Sequence, residues 1–371
     1  YRDLRPRFSS SNIGWTQRLL QPDMLERTHD PFLTAPHRGQ RDSGMTTGRN
    51  WAFGAGCGAV SALLFAVIST GSPLAFLLYL VAPLPILIAT LGFGHHAGLV
   101  ATLVSLAVTA MIFSPMAGVI QALSIGLPSW FTAYLLLLGR SSENDAPEGM
   151  EWYPLGRVLF WIIGLSVALT LAGALMIAPD YAGFVATFSR AVDVVLTYDP
   201  DLVAGLSAEE KTQFIETLSS LLANIAAPIS TAASVTISVI LLWVAGRIVQ
   251  ASGRLPRPWP DLSTLKLPRL AVPALVFSLA LALAAHDYPA LAGRIGLAGL
   301  ITGFCLQGLA VLHGITRPLK SRRSLLFAIY LVFVVLPGWP VIGIALLGIA
   351  DMWLAFRTRF STAPLPSNSA S

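Results

Sequence analysis

VLFWIIGLSVALTLAGALMI, residues 158–177, is a run of apolar and small residues without one ionisable side chain. Hydrocarbon offers no hydrogen-bond partner to a peptide group, so a lipid-embedded segment must satisfy its own backbone. At this length and without strand-like alternation only a helix does so. Working outward, comparable stretches recur at 51–70, 74–91, 98–113 and 116–138 on one side. On the other side they recur in a run ending near Arg247, at 270–285, at 295–315, and from the basic residues near 323 to Phe356. A single helix over that last run would overshoot the roughly 30 Å hydrocarbon core, and Pro337-Gly-Trp-Pro340 cuts it into two short spans. The expected class is all-α: a polytopic transmembrane helical bundle of about ten spans.

Composition agrees. The chain is 54% hydrophobic and only 12% charged, too little polar surface to cover a soluble domain of this length. The formal net charge of +5 is carried mainly by arginine, since lysine occurs only at Lys211, Lys266 and Lys320, and the basic residues lie mostly between or beside apolar runs. That basicity is topology information, not a nucleic-acid surface. Cys57 and Cys305 fall inside apolar runs and read as packing residues.

The chain divides into three parts. Residues 1–44 are arginine-rich, polar and interrupted by prolines, and are expected to be disordered. Met45, just before the first span, reads as a natural start that would leave 1–44 as an upstream extension. Residues 45–360 form the transmembrane domain, and 361–371 a disordered tail.

Local punctuation sets the span ends. Gly71-Ser-Pro73 turns the first span into the second, which Pro83 and Pro85 should break or kink. Gly92-Phe-Gly94-His-His96 and Ser114-Pro115 form the next two turns. The stretch 180–216 holds seven carboxylates and cannot lie in lipid; within it Ser207-Ala-Glu-Glu210 fits a capping box opening a helix that continues through Pro228 into the sixth span. The prolines of Leu255-Pro-Arg-Pro-Trp-Pro260 forbid a regular helix in the segment 247–269.

Counting basic residues in alternate connections places the amino terminus inside. Arg140, Arg157, Arg247, Arg254, Arg257, Lys266, Arg269, the cluster Arg317, Lys320, Arg322 and Arg323, and Arg357 with Arg359 then share the inner face. Only Arg190, Lys211 and Arg294 face out, and both termini are cytoplasmic.

Chemistry-bearing patterns are sparse. The lysine positions allow no phosphate-cradling loop, and there is no His-Glu-x-x-His, Cys-x-x-Cys or Gly-x-Ser-x-Gly. His95-His96 and His286-Asp287 lie in turns and read as turn residues. Asn224, Thr231, Ser234 and Ser238 form a polar stripe on the sixth span. Such a stripe either lines a solute path or bonds to a neighbouring helix at about 0.6 kcal/mol per bond. Gln307 is a further pocket candidate one turn beyond Gly303, and the glycines Gly54, Gly56, Gly58, Gly296, Gly299 and Gly303 permit close helix approach. Asp351 at the end of the last span needs a partner on another helix or at the interface, with Trp353, Arg357 and Arg359 as interfacial anchors. Nothing suggests a catalytic, cofactor-binding or metal-binding residue, so the chain is expected not to be an enzyme.

Ala82-Pro-Leu-Pro85 with Leu91-Gly-Phe-Gly94, Leu255-Pro-Arg-Pro-Trp-Pro-Asp261 with Leu267-Pro268, and Asp351-x-Trp353 with Arg357 and Arg359 together resemble the YybS-like predicted bacterial membrane proteins, a domain of unknown function. The likeness covers residues 45–360. Ala355 stands where that family often has a second acid. The resemblance implies a multi-pass protein of the bacterial inner membrane. It also implies a distant likeness to the substrate-capturing subunits of energy-coupling-factor vitamin transporters, hence a small-solute transport component working with a separate ATPase. The competing expectation is a non-catalytic scaffold or assembly factor binding partner proteins through 178–220 and 247–269. In both, the bilayer is the constant partner and nucleic acid is not one.

Overall fold

The structure is a computed structural model that describes residues 38–141, 150–336 and 338–354. Its helices are α1 (Arg38–Ala66), α2 (Pro73–Leu80), α3 (Leu84–Phe93), α4 (His95–Ile112), α5 (Pro115–Gln121) and α6 (Leu127–Leu137), the last two joined through a wide π turn at Ala122–Gly126. A two-stranded hairpin, β1 (Gly139–Ser141) and β2 (Met150–Trp152), follows. Then come α7 (Leu155–Ile177), α8 (Tyr181–Tyr198), α9 (Ala208–Ala251), α10 (Ala271–Ala284), α11 (Asp287–Ile315), α12 (Arg322–Val335) and α13 (Trp339–Leu354).

Among the described residues seven helical stretches are long and apolar enough to cross a membrane: Gly48–Thr70, Pro73–Phe93, His95–Ile112, Pro115–Leu137, Leu155–Ile177, Ala208–Ala251 and Asp287–Ile315. Ala271–Ala284 and Trp339–Leu354 are shorter apolar helices. The protein is therefore an all-helical, multi-pass membrane protein. Helix α1 begins at Arg38, inside the segment expected to be disordered; residues 1–37 and the tail lie outside the described residues.

The punctuation works as its chemistry requires. Gly71 takes a left-handed φ of +67°, and Ser72 then accepts a hydrogen bond from the Ala75 amide while Pro73 occupies the first turn of α2. Pro has no amide hydrogen to lose at that position. Residues 81–83 interrupt the second span, with Pro83 closing the break and Pro85 in the first turn of α3, and Gly94 at φ +92° ends α3. Ser114 caps α5 through the Ala117 amide. At the start of α9 the Ser207 hydroxyl accepts from the Glu210 amide while the Glu210 carboxylate accepts from the Ser207 amide at 2.8 Å. These reciprocal bonds satisfy two amides that helix geometry leaves open. Helix α9 runs through Pro228 for 44 residues.

The acidic stretch after α7 is itself structured. Asp180 caps α8 through the Gly183 amide, and α8 packs on α9 through Val192 and Leu196, against Ile215 and Leu218.

Burial identifies the centre. In α11, 61% of the most apolar window is buried inside the protein, against 17% for α9, so α11 is the hub. Glycine makes that hub possible. A β-carbon on Gly303 would overlap Ile163 of α7, one on Gly293 would overlap the backbone of α10, and one on Gly308 would overlap the Ile344 carbonyl of α13. Around α11 the core joins Phe304 to Ile162 and Ile163 of α7, Val235 and Leu241 of α9, and Leu87 and Leu91 of α3.

Candidate functional site

The polar stripe on α9 engages its neighbours. The Asn224 Oδ1 accepts from the Tyr181 hydroxyl at 2.8 Å and from Arg294 of α11. Thr231 donates to Thr170 Oγ1 at 3.0 Å, and the Ser234 and Ser166 hydroxyls are 3.1 Å apart. Ser238, with Ser234 and Ser166, lines a cavity of about 60 Å³, enough for one or two waters. The helix-to-helix reading of the stripe thus accounts for Asn224, Thr231 and Ser234, while Ser238 keeps the pocket reading on a very small scale.

Gln307 is fully buried. Its Nε2 donates to the Gly348 carbonyl at 2.7 Å and its Oε1 accepts the Leu267 amide at 2.8 Å. One side chain therefore ties α11 both to α13 and to the segment that leads into α10. Asp351 is buried, at 2% exposure, and Trp353 is exposed; Arg357 and Arg359 lie outside the described residues.

The larger cavity lies elsewhere, between the start of α7, the last turns of α9 and α11, the segment 252–270 and α12. Its volume is about 580 Å³, within the roughly 300–1,000 Å³ of small-molecule sites. Its walls are largely aliphatic, from Leu159, Ile162, Leu242 and Leu306, with Trp243 and Trp259. Its ionisable members are Arg257, Asp261, His313, Arg317, Arg322 and Tyr330.

Arg257, Asp261, His313 and Arg317 are held in place by the fold. The segment 255–260 cannot form helix, and it lies across the bundle with Trp259 against Gly246 and the Arg247 guanidinium 5.1 Å from the Trp259 ring centre. This brings Arg257 inward to 8% exposure. Its Nη1 donates to the carbonyls of Leu136 and Tyr153, both at 3.1 Å, and its guanidinium lies 5.8 Å from the Trp152 ring centre. Burial lowers its pKa, but an arginine stays charged. Asp261 accepts from Arg317 at 2.7 Å, which straps the segment to the turn after α11, and from the Ser263 amide and hydroxyl within the segment itself. The Arg317 hydrogen bond first, then that of the Ser263 amide, hold the Asp261 carboxyl down to about 2. The His313 Nδ1 lies 2.9 Å from the Leu309 carbonyl, and Tyr330 of α12 stands 3.4 Å from Nε2. The Arg322 Nε is buried and has no hydrogen-bond partner among the described residues.

The sequence pattern gave Arg257, Arg317 and Arg322 only as inner-face charges, because no spacing rule links positions so far apart. The one available signal was an arginine between prolines, Pro256-Arg-Pro258, in a stretch that had to leave helical geometry. Among the described residues no three His, Cys, Asp or Glu side chains cluster to hold a metal ion.

A family model described as predicted membrane protein (DUF2232) matches residues 59–352, well over half of the chain. No curated protein and no solved structure matches it.

Proposed function

The chain belongs to this family of predicted membrane proteins, and from that premise we propose that it is a small-solute transport component of the bacterial inner membrane whose ligand compartment is the larger cavity. The observation that carries this reading is the contrast in room. The cavity at the end of α11 offers about 580 Å³, whereas the polar stripe borders only about 60 Å³. The segment 252–270 forms one wall and is held by the Asp261–Arg317 pair, by Arg257 on the Leu136 and Tyr153 carbonyls and by Gln307 on the Leu267 amide. The cavity's charged groups are guanidinium groups and one engaged carboxylate, a set suited to binding. On this reading the chain is non-catalytic and a separate ATPase drives movement.

Ten crossings with both termini cytoplasmic complete the proposal: α10, α12 and α13 supply the three shorter crossings, and the cavity mouth with Arg317 and Arg322 faces the cytoplasm. Mass spectrometry of the full chain purified in mild detergent tests the function. A stoichiometric small molecule is expected. A scaffold is the second reading, favoured by the exposed Val194, Val195 and Tyr198 of α8 and by Leu202 beyond it, and a tightly bound protein without any small molecule would establish it instead. Cysteine-labelling of single sites in 199–206 from outside intact cells tests the orientation; labelling only after permeabilisation would reverse it.

A further inference from the structure

We propose that the larger cavity takes an amphipathic anion: one molecule with a phosphate or carboxylate head held by Arg257, Arg317 and Arg322, and an aliphatic tail lying among the leucines. The proposal rests on the cavity being the ligand compartment and names what fills it.

Charge is the first argument. Three guanidinium groups line the cavity against one carboxylate, and that carboxylate already accepts three hydrogen bonds, one of them from Arg317. Arg257 is buried, and its hydrogen bonds run to two backbone carbonyls; among the described residues the ion pairs are Arg140–Glu151 and Arg317–Asp261, so none of the described acids pairs with it. A buried charge without a counter-charge is costly, and the buried, unbonded Arg322 Nε adds an open donor at the same cavity. An anion supplies what both lack, in the forked geometry guanidinium groups favour for phosphate and carboxylate.

Shape is the second argument. Along α11 the lining passes from Leu306 and Leu309 to His313, about 10 Å at the helical rise, and on to Arg317 in the turn beyond the helix, an apolar-to-charged gradient. Helix α9 adds Val239 and Leu242, and α7 adds Leu159 and Ile162. A hydrophilic anion would leave this aliphatic wall wet, and a neutral tail would leave Arg257 uncompensated. Only a molecule with both parts satisfies both ends.

Native mass spectrometry of the full chain in dodecyl maltoside tests the proposal, with dodecyl phosphate as probe. Dodecyltrimethylammonium carries the same tail with opposite charge, and inorganic phosphate carries the head alone. One dodecyl phosphate per chain is expected to be retained at concentrations where neither control is. Arg322→Gln, at a partly buried position, should weaken retention roughly tenfold or more, with Arg322→Lys recovering part of it. Ala310→Phe, which fills the cavity from α11, should abolish it. Equal retention of the ammonium probe, or an Arg322→Gln variant that binds as well as the parent, overturns the anion while leaving the compartment standing, provided Ala310→Phe removes the adduct. Dodecyl phosphate retained unchanged by Ala310→Phe defeats both. Extraction of the protein as purified separates the sources. A phospholipid in the organic phase, or a single-chain phosphate or carboxylate in aqueous methanol, each supports the chemistry; a neutral or cationic occupant refutes it.

Discussion

Replacing one glycine of α1 by alanine, and then its neighbour two residues away, isolates what holds α1 to the bundle. A β-carbon on Gly58 would sit 3.0 Å from both the Cα and the carbonyl carbon of Ala101 in α4, and closer still to that carbonyl oxygen. Ordinary carbon contacts are about 3.5–4.0 Å, so the two helices must part by several tenths of an ångström or more. Gly54 meets Ala97 one turn earlier in the same way, whereas Gly56 has nothing within 4 Å. Gly58→Ala should therefore cost about 1–3 kcal/mol by overpacking. Gly56→Ala removes a flexible residue from a helix interior and should gain up to about 1 kcal/mol. A fluorogenic maleimide reads thermal unfolding in detergent through the protein's own free thiols, Cys57 half-buried on α1 and Cys305 buried in α11. The unfolding temperature of Gly58→Ala should fall by several degrees while that of Gly56→Ala stays level or rises. Equal shifts in the two variants would falsify the close α1–α4 approach.

Gln307→Leu leaves the buried Leu267 amide without its partner and loses the bond to Gly348, so it should destabilise the protein by about 1–3 kcal/mol; hydrogen exchange at Leu267 should accelerate in parallel, and unchanged exchange would contradict the assigned bonds. Ser207→Ala removes half of the capping box and should loosen the first turns of α9 by about 1 kcal/mol, seen as faster amide exchange over 208–212 with the unfolding temperature nearly unchanged. Asp261 is held at about 2, below its ordinary value of 3.8, so its contribution is complete above that ordinary value and is lost as pH falls through about 2. Because the pair is half exposed, that contribution is below about 1 kcal/mol. Asp261→Asn should flatten the acid dependence of stability over that window, and an identical acid profile in the variant would show that the pair does not hold the segment.

Much of the architecture could be read from local pattern. The break at Pro83, the turn at Gly94, the capping at Ser114 and the box at Ser207 each depend on residues no more than four apart, and such rules survive any tertiary setting. The glycines illustrate the limit. Gly54, Gly56 and Gly58 look alike in sequence, yet two face α4 and one faces open space, because a helix turns consecutive even positions to different sides. Arg257 shows it more sharply: counting marked it as an inner-face charge, while its carbonyl partner at Leu136 lies 121 residues away. The Gln307 amide joins α13 to the segment before α10, a pairing that no local pattern announces.

The sequence by itself determined that this protein is a set of lipid-crossing helices with capped and broken ends, since a peptide backbone in hydrocarbon must bond within its own segment and that requirement is local. Which polar side chains found partners, which arginine became buried, and where about 580 Å³ stayed open were decided by the tertiary structure. Those outcomes depend on which helix faces meet, and contacts between faces join positions that no sequence period relates.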